Sequence, residues 1–345
     1  MRLPHWFSRF QHPLVRLALV AMVAASVVAL TLWRGPNFGL VGSAFSAVEW
    51  RWVAVAVAIN FVSVVVRSIA WKIVVDQALP PPHPATRSVF AAFCVGLLAN
   101  AALPGRVGEL ARVGVLARRV PRRAGAWAAI AGSVFAHRMF DVLASAILIV
   151  FVLYTAKIPD WASRALGIVL GIGLGLLLFA LLLARRHHRP LSEELGPVRR
   201  LVSMARQGLA VLHRPLPAVG ALIFQLLGWT AQLFAVWTAC KAFDIEVPIP
   251  AAGLVLVLMN MATVFPLWPG NIGLLQAAVA LPLIGYGVRY AHGFAFGIGL
   301  QAIEASVGVG LGLLFLAREG FSFAMLRNMP EVTAVDPDEP VERIA

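Results

Sequence analysis

The sequence predicts an all-α integral membrane protein, a polytopic helical bundle with two re-entrant broken-helix hairpins arranged as an inverted-topology repeat. Three observations predict it. The 345 residues are 60% hydrophobic and 13% charged, with a mean hydropathy of +0.83, whereas soluble domains are nearer half apolar and a quarter charged. The apolar residues gather into runs long enough to cross a bilayer. Two further apolar regions each break in the middle at a similar Pro-Gly tract.

Runs of spanning length cover 14–33, 52–75, 124–154, 165–184, 216–240 and 290–317. Each holds at least about 18 largely uncharged residues, the usual criterion for a spanning helix. The basic N-terminus MRLPHWFSRFQHPLVR runs into the first of them without a small-residue cleavage pattern, so an uncleaved first helix is expected. Regions 88–117 and 251–287 break at LPGRVG and FPLWPGNIG. Their halves are too short to cross a core of about 30 Å, so each reads as a helix-break-helix hairpin that returns to its own face. These segments make one domain over 1–317.

Within that domain the hydrophilic insert 185–215 is expected to be cytoplasmic and to include an amphipathic surface helix, with Val198, Leu201, Val202, Ala205 and Leu209 on one face. The polar, Pro-containing segment 318–345 is expected to be a disordered cytoplasmic tail. Trp33, Trp50, Trp52, Trp161 and Trp268 near the run ends fit an interfacial belt.

Charge sets the expected orientation. The net charge of +13 would suggest nucleic acid in a soluble protein, but no such motif is present and the arginines collect in loops beside apolar runs. With a cytoplasmic N-terminus, the inner loops receive Arg2, Arg9, Arg16, Lys72, Arg87, the cluster Arg118, Arg119, Arg122 and Arg123, and the arginines of 185–215. The outer loops hold few basic residues, diluted by Glu49, Asp160, Asp244 and Glu246. Both termini inside is the favoured topology. It holds only if the hairpins enter from opposite faces. The tracts LPGRVGELA (103–111) and WPGNIGLLQ (268–276) align Pro104 with Pro269, Gly105 with Gly270 and Gly108 with Gly273, and put Asn271 opposite Arg106 and Gln276 opposite Ala111. A repeated break on opposite faces is the pattern of inverted-topology transporters. The Pro and Gly positions are the expected hinges.

Two constellations carry charge into apolar surroundings. Arg106, Glu109 and Arg112 recur every three residues after the first break, beside Asn100, and Glu109 can pair with either arginine. One carboxylate between two guanidiniums leaves a net positive site suited to a phosphate or another anionic head group. The alternative is an ion-pair network that only shapes the hairpin. In AHRMFDV, Asp141 can pair with Arg138 at i,i+3 or His137 at i,i+4. Arg138 either lines the same cavity as Arg106 or forms a self-compensating pair. His137 either titrates or donates to Asp141. Asn271, Gln276, Gln301 and Glu304 are secondary candidates, with Glu304 either protonated, paired with an arginine, or a proton carrier. Arg67, near one end of its run, is expected to snorkel. Cys94 and Cys240 are isolated, and no Cys/His spacing indicates a metal or other cofactor.

The segment Asn100–Arg112, read as N-x-x-L-P-x-R-x-G-E-x-x-R, resembles the signature of the lysylphosphatidylglycerol synthase transmembrane-region family, also described as flippase-like. HRMFD and PLWPGNIGLLQ resemble two further elements of that family, over about residues 14–317. Where the family has an acidic residue, a second glycine and a second glutamate, this chain has His137, Asn271 and Gln276. The resemblance implies a bacterial inner-membrane location and a lipid translocase acting on an anionic or glycosylated head group. Arg106, Arg112 and Arg138 would receive the head group, with Glu109 and Asp141 setting their geometry. Aminoacyl transfer, which the family's larger enzymes perform with a separate soluble domain, is not expected, and no nucleophile, metal set or nucleotide loop is recognisable. The expected partners are membrane lipids and not nucleic acid, with a lipid-modifying enzyme as a candidate protein partner. A membrane-embedded enzyme of lipid or envelope glycoconjugate synthesis, and a scaffold for such an enzyme, are the rival readings.

Overall fold

A computed structural model describes residues 38–102, 107–121, 125–185, 214–264 and 271–318. Ten helices account for the regular structure there: α1 Phe38–Ser46, α2 Trp50–Ala78, α3 Thr86–Ala102, α4 Gly108–Ala117, α5 Ala126–Thr155, α6 Asp160–Arg185, α7 Pro215–Ala242, α8 Ile249–Val264, α9 Leu274–Ile284 and α10 Tyr290–Arg318. The described residues contain no strand. By length and composition α2, α5, α6, α7 and α10 can each cross a membrane. The first apolar run, most of the 185–215 insert and the 318–345 tail lie outside the described residues.

Local sequence explains the boundaries. Leu79 leaves the helical region as α2 meets Pro80, Pro81 and Pro82, which supply no N–H to continue it. Pro215 opens α7 at a position where a missing donor costs nothing. Gly125 starts α5 from the left-handed conformation at φ 80°, which glycine adopts without strain. The short helices α3, α4, α8 and α9 pair within their regions, α3 on α4 and α8 on α9.

The packing repeats by halves. Exchanging α1–α5 with α6–α10 in order turns the substantial contacts into one another. Thus α2–α3 corresponds to α7–α8, α4–α5 to α9–α10, and α2–α5 to α7–α10. The crossed contacts follow: α3–α10 matches α8–α5, α2–α10 matches α7–α5, and α1–α10 matches α6–α5. The most extensive contact, α2 on α7, is its own counterpart. There Ser63 Oγ donates to the Gly228 carbonyl at 2.8 Å, and Arg67 Nη1 to Gln232 Oε1 at 3.1 Å, each pair separated by 165 residues. The hairpin prolines Pro104 and Pro269 share that offset (269 − 104). A Cβ at Gly228 would stand 2.3 Å from Arg67 Cγ, so this crossing depends on glycine.

One buried cluster joins α2, α5, α7, α8, α9 and α10 through residues such as Leu148, Val236, Leu254 and Phe296. A second joins α2, α3, α4, α5 and α10 through Trp71, Phe93, Leu116 and Ile130. Polar groups that meet between them form the candidate site. Helix α6 stays largely exposed, with Ile168, Ile172, Leu176 and Phe179 turned outward, as suits a helix facing lipid.

Candidate functional site: a charged cluster between the two halves

Asp141, midway along α5, organises the site. Its Oδ1 accepts from Arg67 Nη2 at 2.9 Å, from Trp229 Nε1 at 3.1 Å and from Gln225 Nε2. Its Oδ2 accepts from Arg138 Nη1 at 3.0 Å. A buried carboxylate is tolerated when its lone pairs are filled and its charge is matched, and Asp141, 7% exposed, meets both conditions. Arg138 turns its other terminal nitrogen to Glu109 on α4 and forms an ion pair there. One guanidinium therefore joins the first hairpin to a spanning helix.

Arg67 does not snorkel. Besides Asp141 it holds Gln232, and its guanidinium carbon lies 5.4 Å from the Trp229 ring centre. The apolar run around Arg67 makes the position look peripheral, but α7 supplies the polar face that holds it. Gln225, Trp229 and Gln232 follow at i, i+4 and i+7 on that face. This spacing in an otherwise apolar span was the available sequence signal for three site residues that motif reading passed over.

Arg112 is the surplus cation. It is 3% exposed, and its Nε and Nη1 have no hydrogen-bond partner. The guanidinium lies 4.0 Å from the Phe93 ring centre and 5.8 Å from that of Trp71, a cation–π arrangement that offsets part of the desolvation. Of the two pairings open to Glu109, the one with Arg112 is not made and Arg106 lies outside the described residues; Glu109 faces Arg138. His137 does not donate to Asp141. It is buried with both ring nitrogens unpartnered and its ring edge-on to Phe93. Counting Arg67, Arg112 and Arg138 against Glu109 and Asp141 leaves one net positive charge in the cluster.

The expected hinge residues differ in what they do. Leu103, Pro104, Gly105 and Arg106 of the first break, and Pro269 and Gly270 of the second, lie outside the described residues. Gly108 begins α4, donates its N–H to Asn100 Oδ1 at 2.8 Å and abuts Gly96 so closely that a Cβ would stand 2.2 Å from the Gly96 carbonyl oxygen. Its requirement is steric. Gly273 has open space around it but φ +93°, so its requirement is conformational. Asn271, at φ 44°, donates Nδ2 to the Ala262 carbonyl at 3.1 Å and ties α8 to the start of α9.

In the second half, Gln276 accepts from the Gly273 N–H through Oε1 and donates through Nε2 to Gln301 Oε1 at 2.6 Å. Gln301 and Glu304 stand one turn apart on α10, as Arg138 and Asp141 do on α5. Both halves thus tie hairpin to long helix, the first by ions and the second by amides.

A cavity of about 480 Å³ lies elsewhere, at the ends of α2 and α7, bounded by Glu49, Trp52, Trp237 and Lys241. Lys241 sits between the two indoles, 3.9 Å from Trp237 and 5.0 Å from Trp52. Fifteen helical residues separate Trp52 from Arg67 (67 − 52), roughly 22 Å along α2. The cavity does not belong to the charged cluster. Among the described residues no group of His, Cys, Asp or Glu is arranged to hold a metal ion.

Comparison with known proteins places this architecture. Residues 14–312 match the family described as lysylphosphatidylglycerol synthase TM region. The chain belongs to that family. The match covers the described helices almost to the end of α10, and with the five long apolar helices it makes the chain a multi-pass membrane protein. No curated protein and no solved structure matches the chain. Of the segments that resemble family signatures, Asn100–Arg112 contains Glu109 and Arg112, and HRMFD contains Arg138 and Asp141. The family motifs therefore meet at the cluster, where α2 and α7 add Arg67, Gln225, Trp229 and Gln232.

Proposed function

We propose that the protein is a lipid translocase in which the charged cluster receives the anionic portion of a phospholipid head group. One observation carries this reading: Arg112, buried and unpartnered, stands one turn from Glu109, whose own cation is Arg138. A buried guanidinium without an acceptor is costly, and a phosphate oxygen satisfies it. An arriving phosphate also competes with Glu109 for Arg138, so binding and release of the first hairpin are the same event. Asp141 keeps Arg138 and Arg67 in place through that exchange.

The paired halves support an alternating-access route. In this reading 88–117 and 251–287 are re-entrant hairpins from opposite faces, the halves have inverted topology, and the cluster stays fixed while one half rocks on the other across α2 and α7. The positive-inside distribution favours both termini in the cytoplasm and, with the family resemblance, a bacterial inner membrane.

The test is a leaflet-exchange assay. The purified protein is reconstituted in liposomes containing phosphatidylglycerol with a fluorophore on one acyl chain, and an impermeant reductant quenches the outer leaflet. Liposomes with wild-type protein should quench beyond the outer-leaflet half, and those with Arg112→Met or Glu109→Ala should approach the protein-free level. Unchanged exchange in both variants would defeat the proposal. Mass spectrometry of the same lipids should show no new species; a modified head group would favour an enzyme.

A further inference from the structure

The halves share a plan but not a charge. Around Asp141 the positive charges come from Arg67 on α2 and Arg138 one turn back on α5. The carboxylate of the second half that lies likewise at the middle of its long helix is Glu304, on α10. The residue one turn back is Gln301, and the residue of α7 that reaches it is Gln232, Nε2 to Oε1 at 3.0 Å. Both arginines that neutralise Asp141 are thus represented by glutamines around Glu304.

Nothing else described neutralises it. Glu304 Oε2 has no partner, and the carboxylate makes no ion pair among the described residues. From α2, Arg67 is committed to Asp141 and Gln232. Helix α9 has no ionisable residue and brings Gln276, already bonded to Gln301. Helix α1 has none either, α3 carries Arg87 in its first turn and the buried thiol of Cys94, and α7 carries the buried thiol of Cys240 and, at the helix end between Trp52 and Trp237, Lys241; a thiol supplies no positive charge. An ionised carboxylate midway along an apolar helix, with no countercharge, is unfavourable, and such groups in membrane proteins mark ion and proton pathways.

We propose that Glu304 is a coupling-cation site and that the cation is a proton carried on Oε2. A metal cation such as Na⁺ needs several oxygen ligands, but Gln232 Oε1 is taken by Arg67 and Gln301 Oε1 by Gln276. A proton needs one oxygen. Protonated, Glu304 leaves the second half neutral throughout, matching its amide tie. Deprotonated, it places a negative charge one glutamine away from Arg67 and shifts the balance across the α2–α7 contact. Proton binding in this way biases one arrangement of the halves over the other. The coupling role rests on the translocase reading, whereas the proton site rests only on the geometry around Glu304.

Infrared difference spectroscopy of the full chain in phosphatidylglycerol–phosphatidylethanolamine liposomes tests this. At neutral pH the wild type should show the C=O band of a neutral carboxylic acid, with its shift in D₂O. Glu304→Gln should lose the band. So should Gln301→Arg, which leaves Glu304 intact and supplies the cation that Arg138 gives the first half. Glu246→Gln, at an exposed carboxylate, should keep it, and replacing Na⁺ by K⁺ should leave it unchanged. Absence of the band in the wild type, or its survival in Glu304→Gln or Gln301→Arg, overturns the site. A band that Na⁺ removes overturns the choice of proton. A protein that shows the band but does not exchange lipid keeps the site and refutes the translocase.

Discussion

Arg138 on α5 is ion-paired with Glu109 on α4, a charged contact between residues 29 apart in sequence that ties the first hairpin to a long helix. The counterpart contact, Gln276 with Gln301, carries no charge. An anion can break the first contact by replacing its carboxylate; it has no such hold on the second. In the proposed translocase, the first hairpin is therefore the one that would respond to the head group.

Exchanging the two charges tests that dependence. Glu109→Arg with Arg138→Glu should each abolish lipid exchange alone. The double variant should regain thermal stability relative to either single one without regaining activity, because Asp141 would then face a glutamate. A double-variant cycle in melting temperature and exchange rate gives the coupling.

Arg112→Met should separate stability from activity. Replacing a buried charge that has no hydrogen-bond acceptor by an apolar side chain of similar length removes a desolvation cost and is neutral or stabilising. The variant should melt at or above the wild-type temperature while exchange falls to background. A strongly destabilised variant would show that Arg112 is a structural residue.

Asp141→Asn should do the reverse. It leaves Arg67 and Arg138 without their shared carboxylate, and removing one partner of a buried pair costs about 3–5 kcal/mol. Loss of folded protein on size-exclusion chromatography, partly recovered in Asp141→Glu, is the expected result.

Gly108→Ala should destabilise through contact alone. The new methyl group meets the Gly96 carbonyl oxygen and the Asn100 side chain, and overpacking of this kind costs about 1–3 kcal/mol. Gly273→Ala should also destabilise, but there the cause is the positive φ, which strains any side chain although the space around it is open.

Orientation is open to labelling. Cys94 and Cys240 are buried, which keeps background reactivity low. Arg119→Cys should react with an impermeant maleimide only from the cytoplasmic side, and Lys157→Cys only from the opposite side. The reverse pattern would invert the topology drawn from loop charge.

The five described spans, and the helix ends on either side of the two Pro-Gly tracts, were legible because apolar length and backbone chemistry act locally. Arg138 with Asp141 was also legible, since an i,i+3 pair on a helix needs no tertiary knowledge. The partner that the structure shows for Glu109 was not: the sequence offers arginines three residues away on either side, of which Arg106 lies outside the described residues, and Arg138 comes from another helix. Arg67 was misread for the same reason. A single arginine in an apolar run looks like a snorkelling residue until α7 brings Gln232 and α5 brings Asp141 to it. Glycine roles divided likewise: Gly273 is explained by its own φ, Gly108 only by its neighbour Gly96.

The contact between Arg67 and Gln232 has a further consequence. Because these positions correspond, each is the other's neighbour. In an assembly of two identical chains packed this way, whatever residue stood there would meet its own copy. Two glutamines can satisfy each other, whereas two arginines at that distance repel. An arginine at this crossing is compatible only with halves whose sequences are free to differ, as they are when both belong to one polypeptide. Joining the halves in a single chain is what allows the charged centre to sit to one side of the crossing.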